Sequence, residues 1–383
     1  MTQSSRLSQT SIQRFFASLP EPRRRPTRIK HPLLNLVTIA LCGTIAGADD
    51  WEEIVQFARD RREWLSGFLD LSAGIPSHDT FGRVFAALDP VAFQKCLLTW
   101  TQRLHEVTAG QVIAIDGKVA REAMARAGDQ GPMTLVSAWA TANQICLGQV
   151  AGAAGSNELG ALPKLLELLD LEGAIVTLDA LGCQKEIVAQ IVEKKGDYVI
   201  AVKGNQEKLE AAVHATLEAA MEASIAMPTI TRVEESHGRQ ERRLYTVLPV
   251  PDDFAELAPW KGLRSLVMVT REYEDANGKS HAGVRYYISS LPAEVKRIAA
   301  AVRSHWGIEN RLHWVLDVVF REDRSRARAE NAQANLGILR RMALSLLKNT
   351  EGLKGSAHCR RQQAAWNEAT LENILFGCQR RET

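Results

Sequence analysis

Charge of one sign is what this 383-residue sequence lacks first: 47 Lys and Arg stand against 45 Asp and Glu, a net of +2. Bulk electrostatics therefore do not announce a nucleic acid, an anionic membrane or an acidic substrate. Long apolar runs are missing too. The longest apolar run without a charge, Leu33 to Ala48, contains Asn, Thr and Gly positions and falls short of the roughly 20 apolar residues that cross a bilayer. No membrane span is expected. The first twenty residues carry no apolar core with a small-residue cleavage site, so no secretory leader is expected and the chain is placed in the cytoplasm. Cys42, Cys96, Cys146, Cys183, Cys359 and Cys378 show neither CxxC nor Cys/His ligand spacing, which excludes a disulfide framework and a zinc finger. Internal repeats and low-complexity tracts are absent. With 45% apolar and 24% charged residues, the chain is neither disordered nor fibrous. At roughly 100–200 residues per domain, two or three domains are expected.

What charge there is gathers in places. Arg14, Arg23, Arg24, Arg25, Arg28 and Lys30 face the single acid Glu21, among prolines 20, 22 and 26, and read as an extended basic arm. From Arg303 onward 14 Lys and Arg stand against 9 Asp and Glu. Such patches neutralise phosphates or simply form solvated faces.

Residues 1–108 read as an all-α domain. Asp89-Pro90 and Ser77 are helix starts, a capping side chain placed ahead of an apolar run spaced by three and four. From Gly110 the pattern changes to a second domain, 109–383. QVIAID, LVSAWATA and ICLGQVAGA are strands, the last two joined at Asn143-Gln144. Helices near 157–169 and 184–195 then alternate with strands AIVTLDA and YVIAVKG, which describes an α/β mixed sheet flanked by helices. A helix from Gln206 leads into a β-rich block over about 226–292, with an Asn277-Gly278 hairpin turn, and residues 294–383 are helical. The β-rich block reads as an insertion.

Two acids hold equivalent places: Asp116 closes the first strand and Asp179 the fourth. On neighbouring strands about 4.8 Å apart they converge. Converging carboxylates repel unless a hard cation lies between them, and all-oxygen ligands suit Mg²⁺ or Mn²⁺. The alternative is that Asp116-Gly117 only begins a turn. On the late helix His305, Glu309, His313 and Asp317 recur every four residues along one face. Glu309 is then a third carboxylate, or the stripe is merely salt-bridged. Trp306 and Trp314 are assigned to the core. Three such acids hold two divalent ions roughly 3.5–4 Å apart, the arrangement for in-line attack at phosphorus.

Taken in order, GIPSHDTFGRVFAALDP, IAIDGK, SNELGALPKLLELLDL, VTLDALGCQKEIVAQI, DYVIAVKGNQ, ESHGRQERR and HWGIENRLHWVLDVVFRED resemble the DDE transposases of bacterial insertion sequences. The likeness is to the ISAs-type group that includes the H-repeat-associated proteins of Rhs elements, and it covers nearly the whole chain. The resemblance implies a ribonuclease H-like catalytic domain with Asp116, Asp179 and Glu309 as a triad binding two Mg²⁺ or Mn²⁺ ions. It implies a β-rich insertion before the last catalytic helix. It also implies hydrolytic nicking at element ends, then attack of the freed 3′-hydroxyl on target DNA, in a bacterial cytoplasm and at the nucleoid when bound. The partners are terminal inverted repeats, target DNA and a second protomer in the DNA complex. Lys118, Lys203, Asn205, Arg239, Arg242, Arg243, Arg303, His305 and Arg311 are the candidate DNA contacts. Wider relatives carry Tyr, Arg and Lys where this chain has Val302, His305 and Leu316, and a Lys where it has Gly155. A decayed DNA-binding copy and a nuclease of the same fold without strand transfer are the competing readings.

Overall fold

The computed structural model describes residues 16–377 except 26, 28, 105–109, 120–133, 153–157, 237, 238, 255, 257, 258, 276, 277, 326 and 328. The chain divides into two compact units: 1–106 with 117–168 and 309–383, and 107–116 with 169–308. Strand β1 (Val112–Val119) contributes to both.

The first unit is largely helical. Its N-terminal part holds α1 (Leu33–Ile45), α2 (Trp51–Asp60), α3 (Arg62–Ser66), α4 (His78–Ala87) and α5 (Pro90–Leu104). Capping side chains set the starts. Asp50 accepts from the Glu53 amide at 2.9 Å, Ser77 from Thr80 at 3.3 Å, and Asp89 from Val91 at 3.0 Å. Each satisfies an amide that the helix itself cannot. Helix α1 is apolar all round because it is enclosed all round: every residue of it but Leu34 is buried. Its long uncharged run is therefore a core helix, and no helix among the described residues is long and apolar enough to cross a membrane.

The same unit contains the hairpin β2 (Thr134–Ala140) and β3 (Ile145–Ala151), paired antiparallel from Leu135↔Ala151 to Ala140↔Ile145. Gln144 turns it with a left-handed φ of 53°. Next come α6 (Leu162–Leu168) and, after Ile308, a π turn (Glu309–His313) leading into α10 (Trp314–Val318). The 20-residue α11 (Glu330–Asn349) packs on α1, α4, α5 and β3 with Leu339, Met342, Ala343 and Leu347 buried. Helices α12 (Ala357–Trp366) and α13 (Glu368–Phe376) complete it.

The second unit is a sheet with helices on it. It holds β4 (Ile175–Leu178), α7 (Lys185–Glu193), β5 (Asp197–Val202), α8 (Glu207–Glu222), β6 (Thr229–Ser236), β7 (Arg239–Pro249), β8 (Ser265–Glu274), β9 (Ser280–Ser289) and α9 (Val295–Ile308). Strands β1, β4 and β5 run parallel, and β9 joins β5 antiparallel from Val199↔Ser289 to Val202↔Tyr286. The strand order is β3-β2-β1-β4-β5-β9-β8-β7-β6. The β-rich block is thus no separate body. It extends the sheet, because β5 would otherwise present an unpaired edge. Gly278 turns β8 into β9 at φ 76°, donating its amide to Asp275 at 3.0 Å; Asn277 lies outside the described residues.

Helix α9 lies on β4, β5, β6 and β7. Ile298, Ala299, Ala301 and Val302 pack there with Ile175, Val199, Tyr245, Val247, Val267 and Tyr287. At about 25 cal/mol per Å² of apolar surface, such a cluster contributes several kcal/mol. It holds α9 over the face of the sheet on which Ile175 lies, and side-chain alternation puts Thr177 and Asp179 on that face too.

Three expectations change. β1 does not end at Asp116 but runs on to Val119. Trp314 is not core: 58% of it is exposed. The four-residue stripe from His305 to Asp317 also breaks. Residues Glu309–His313 form a π turn, in which His313 is buried while Trp314 next to it is exposed.

Candidate active site

The two aspartates are placed by strand register. Val112 pairs with Ile175, Ile113 with Val176 and Ala114 with Thr177, an offset of 175 − 112 = 63. Asp116 and Asp179 differ by the same 63. Continued two residues beyond the paired stretch, this register sets Asp116, inside β1, beside Asp179, just past the end of β4, close enough for the Asp116 charge to act on Asp179, and alternation turns both to the face that α9 covers.

Asp179 is the first residue past β4, where the chain turns sharply. Its Oδ1 accepts from the Leu181 amide at 3.0 Å and the Gly182 amide at 3.3 Å. The turn requires glycine at 182, because a Cβ there would stand 2.9 Å from the Leu178 Cβ. From the next strand end, Asn205 Nδ2 donates to Ala180 O at 2.7 Å and Gln206 Nε2 to Cys183 O at 2.9 Å. Asn205 thus braces the loop that carries Asp179, and Lys203 beside it is exposed. Burial, then the Asp116 carboxylate among lesser effects, raises the Asp179 pKa; the Gly182 amide and His305 pull the other way.

His305 Nδ1 lies 3.0 Å from Thr177 Oγ1. Thr177, two residues before Asp179 and on the same face, escaped the sequence reading; the period-two alternation of β4 was the available signal. Glu309 follows His305 by four residues, opens the π turn and is exposed.

The candidate cations divide into two groups. Arg303 donates to Glu234 at 2.8 Å, and Arg243 lies 3.0 Å from Glu234 and also bonds Glu241. Hydrogen bonding to Arg303 holds Glu234 below the usual carboxylate range. These guanidinium groups are engaged within the fold rather than presented to phosphate. Lys118 is likewise enclosed, by Asp317, by Glu322 at 3.1 Å and by Asp323 at 3.2 Å. By contrast Lys203, Arg242 and Arg311 are exposed, Arg242 only 3.5 Å from the equally exposed Glu272. The side chain of Arg239 lies outside the described residues, as do Arg14, Arg28 and Gly155. In the basic arm Arg23 closes on Glu21 at 2.6 Å, while Arg24 and Arg25 are exposed.

Could a divalent ion be held here? Asp116 and Asp179 offer hard oxygen donors side by side, and one Asp179 oxygen is fixed by two amides, which orients the other. Their mutual repulsion in a half-buried setting is what a cation relieves, so the pair fits Mg²⁺ or Mn²⁺. Among the described residues no group of three or more His, Cys, Asp or Glu stands at metal-holding spacing. The aspartate pair is what the second unit assembles.

The second unit is thus a mixed α/β sheet with two acids, Asp116 and Asp179, on the face that α9 covers. Residues 108–346 match a family model described as "Transposase DDE domain", and residues 13–101 one described as "DDE_Tnp_1-associated". The chain belongs to the DDE transposase family. It is 40% identical over 375 residues to "Putative transposase YncI" of Escherichia coli O157:H7, covering 97% of this chain and 96% of that one. It is 35% identical over 358 residues to "H repeat-associated putative transposase YhhI" of Escherichia coli K12, covering 92% and 95%. With "Uncharacterized protein in dhlA 3'region" of Xanthobacter autotrophicus it shares 38% over 284 residues, 73% and 94%. It is therefore a DDE transposase, an enzyme whose family acts on DNA and uses divalent metal ions.

Proposed function

We propose that this transposase binds the terminal inverted repeats of an insertion sequence and nicks DNA at the element ends. The freed 3′-hydroxyl then attacks target DNA. The carrying observation is the common offset of 63 that puts Asp116 and Asp179 side by side. The strand order β3-β2-β1-β4-β5, with β1, β4 and β5 parallel and β2 antiparallel to β3, supports a ribonuclease H-like reading of residues 109–383. Residues 1–108 are then a helical DNA-binding domain and 226–292 an insertion that widens the sheet.

Asp116, Asp179 and Glu309 are the triad. They would hold two Mg²⁺ or Mn²⁺ ions, which when bound would supply activation of water or a 3′-hydroxyl and stabilisation of the leaving oxygen. The chain's own part is to present the carboxylates. Leu181 and Gly182 amides fix the Asp179 oxygen, Asn205 fixes the loop, and Thr177 orients the His305 ring on the same face. Exposed Lys203, Arg242 and Arg311 meet phosphates, and two protomers pair in the DNA complex. Asp116→Asn tests the reading: end binding stays, and Mg²⁺-dependent nicking and strand joining fall a thousandfold or more, on the order of 4 kcal/mol of barrier. An unchanged nicking rate contradicts it, and nicking without joining leaves a nuclease.

A further inference from the structure

Lys118 stands two residues past Asp116, so both side chains leave the same face of β1. Its ammonium is nearly enclosed, with about a tenth of the side chain exposed. It hydrogen-bonds Asp317 and lies 3.1 Å from Glu322 Oε2 and 3.2 Å from Asp323 Oδ1. Asp317 comes 317 − 309 = 8 residues after Glu309, on α10. Glu322 is bound a second time: Arg341 Nη1, on α11, donates to its Oε1 at 2.6 Å. Arg341 has no exposed side chain; its Nε donates to Ser137 Oγ on β2 at 3.0 Å and its Nη1 to Gly337 O at 3.2 Å. Every group named in this cluster belongs to the first unit.

Gathering three carboxylates, Glu322 buried and Asp317 and Asp323 partly exposed, around two enclosed cations is a poor way to gain stability, because desolvation consumes most of the attraction and an apolar plug of the same size does as well. What the cluster does supply is position. One ammonium draws in three carboxylates at once, and the planar Arg341 fork fixes the orientation of Glu322. Its two ends attach to particular places: the strand residues directly after Asp116 and the helix directly after the Glu309 turn. We propose that Lys118 is a positioning residue for the carboxylate site. It fastens the end of β1 that carries Asp116 to the chain that follows Glu309, so that the acids are held in place before metal arrives. This rests on the assignment of Asp116 and Glu309 given above.

The test uses the full chain with Lys118→Met, Lys118→Arg and Asp317→Asn, beside Asp116→Asn. Mn²⁺ affinity is read without DNA, by the signal of free Mn²⁺ in electron paramagnetic resonance. The Mg²⁺ concentration for half-maximal cleavage and the metal-free unfolding temperature are read alongside. Lys118→Met is expected to bind Mn²⁺ roughly tenfold or more weakly and to need correspondingly more Mg²⁺, with Lys118→Arg restoring most of the affinity. Asp317→Asn, whose side chain is 31% exposed and easier to tolerate, is expected to weaken Mn²⁺ binding several-fold. Loss of unfolding temperature with Mn²⁺ affinity unchanged overturns the proposal. If Lys118→Met does not fold, unchanged affinity in Asp317→Asn overturns it alone. Wild-type affinity in Asp116→Asn, or no Mn²⁺ binding by the wild type, overturns the carboxylate assignment itself and this proposal with it.

Discussion

Asp179 is ionised at some cost to the fold. Its pKa is raised by burial first, and Asp116 adds repulsion. For a carboxylate whose folded pKa lies above its unfolded one, the unfolded chain gives up its proton first, so the folded state loses stability as pH rises through that range. The metal-free protein therefore carries a penalty at neutral pH that a bound cation lifts. Asp179→Asn keeps the oxygen that accepts from Leu181 and Gly182 and removes the charge. Its metal-free unfolding temperature is expected to rise, with Mg²⁺ no longer raising it further, as scanning calorimetry with and without the ion will show. Glu322 is the opposite case. Burial would raise its pKa, yet Arg341 and then Lys118 hold it down from 4.5 to about 2, so it stabilises the fold above the ordinary carboxylate range and that contribution is lost as pH falls towards 2. Glu322→Gln leaves Arg341 buried with a weaker partner. Urea unfolding should show a loss of about 3–5 kcal/mol at neutral pH and a flatter dependence across the acid range.

At the scale of elements, much is legible in the sequence. Strands 145–151, 175–178 and 197–202 and the start of β1 at 112 follow from short β-branched runs between turn residues, and the helix starts at Ser77 and Asp89 from side chains that cap. Gln144 and Gly278 were readable as hairpin turns because left-handed backbone has few tolerant residues. The rest depended on partners distant in sequence. Nothing local says that β1 continues past Asp116, that β9 completes β5, or that five helical residues from Glu309 widen into a π turn and send Trp314 outward. Asp179 is legible as a strand-end acid, whereas Asp116 lies inside its strand, and the bracing by Asn205 and the hold of Thr177 on His305 come only from assembly. The turn after β4 leaves no room for a side chain at Gly182. Gly182→Ala puts a methyl 2.9 Å from the Leu178 Cβ, so the Asp179 carboxylate must shift. Cleavage is expected to fall roughly tenfold to a hundredfold, with binding of an end duplex in gel-shift assays unchanged.

On the scale of the whole molecule, near-neutral total charge and local basic regions belong together. Affinity for DNA has to come from a few exposed cations rather than from a general positive field. Several candidates read from sequence are spent inside the fold: Arg243 and Arg303 on Glu234, Lys118 on Asp317. Arg242 and Arg311 remain exposed. Alanine at either should weaken binding about equally for all sequences and reduce the slope of log affinity against log salt by about one; Arg303→Ala should leave that slope unaltered. Titrations of a labelled end duplex at several salt concentrations separate these outcomes.

The proposed chemistry rests on three carboxylates, Asp116 and Asp179 on neighbouring strands and Glu309 at the turn that follows α9. The most direct measurement compares Mg²⁺-dependent cleavage of a duplex bearing the element's own end by the wild type and by Glu309→Gln. The expected result is cleavage by the wild type and a loss of a thousandfold or more in the variant, with both binding the duplex equally. Equal cleavage by the two would contradict it.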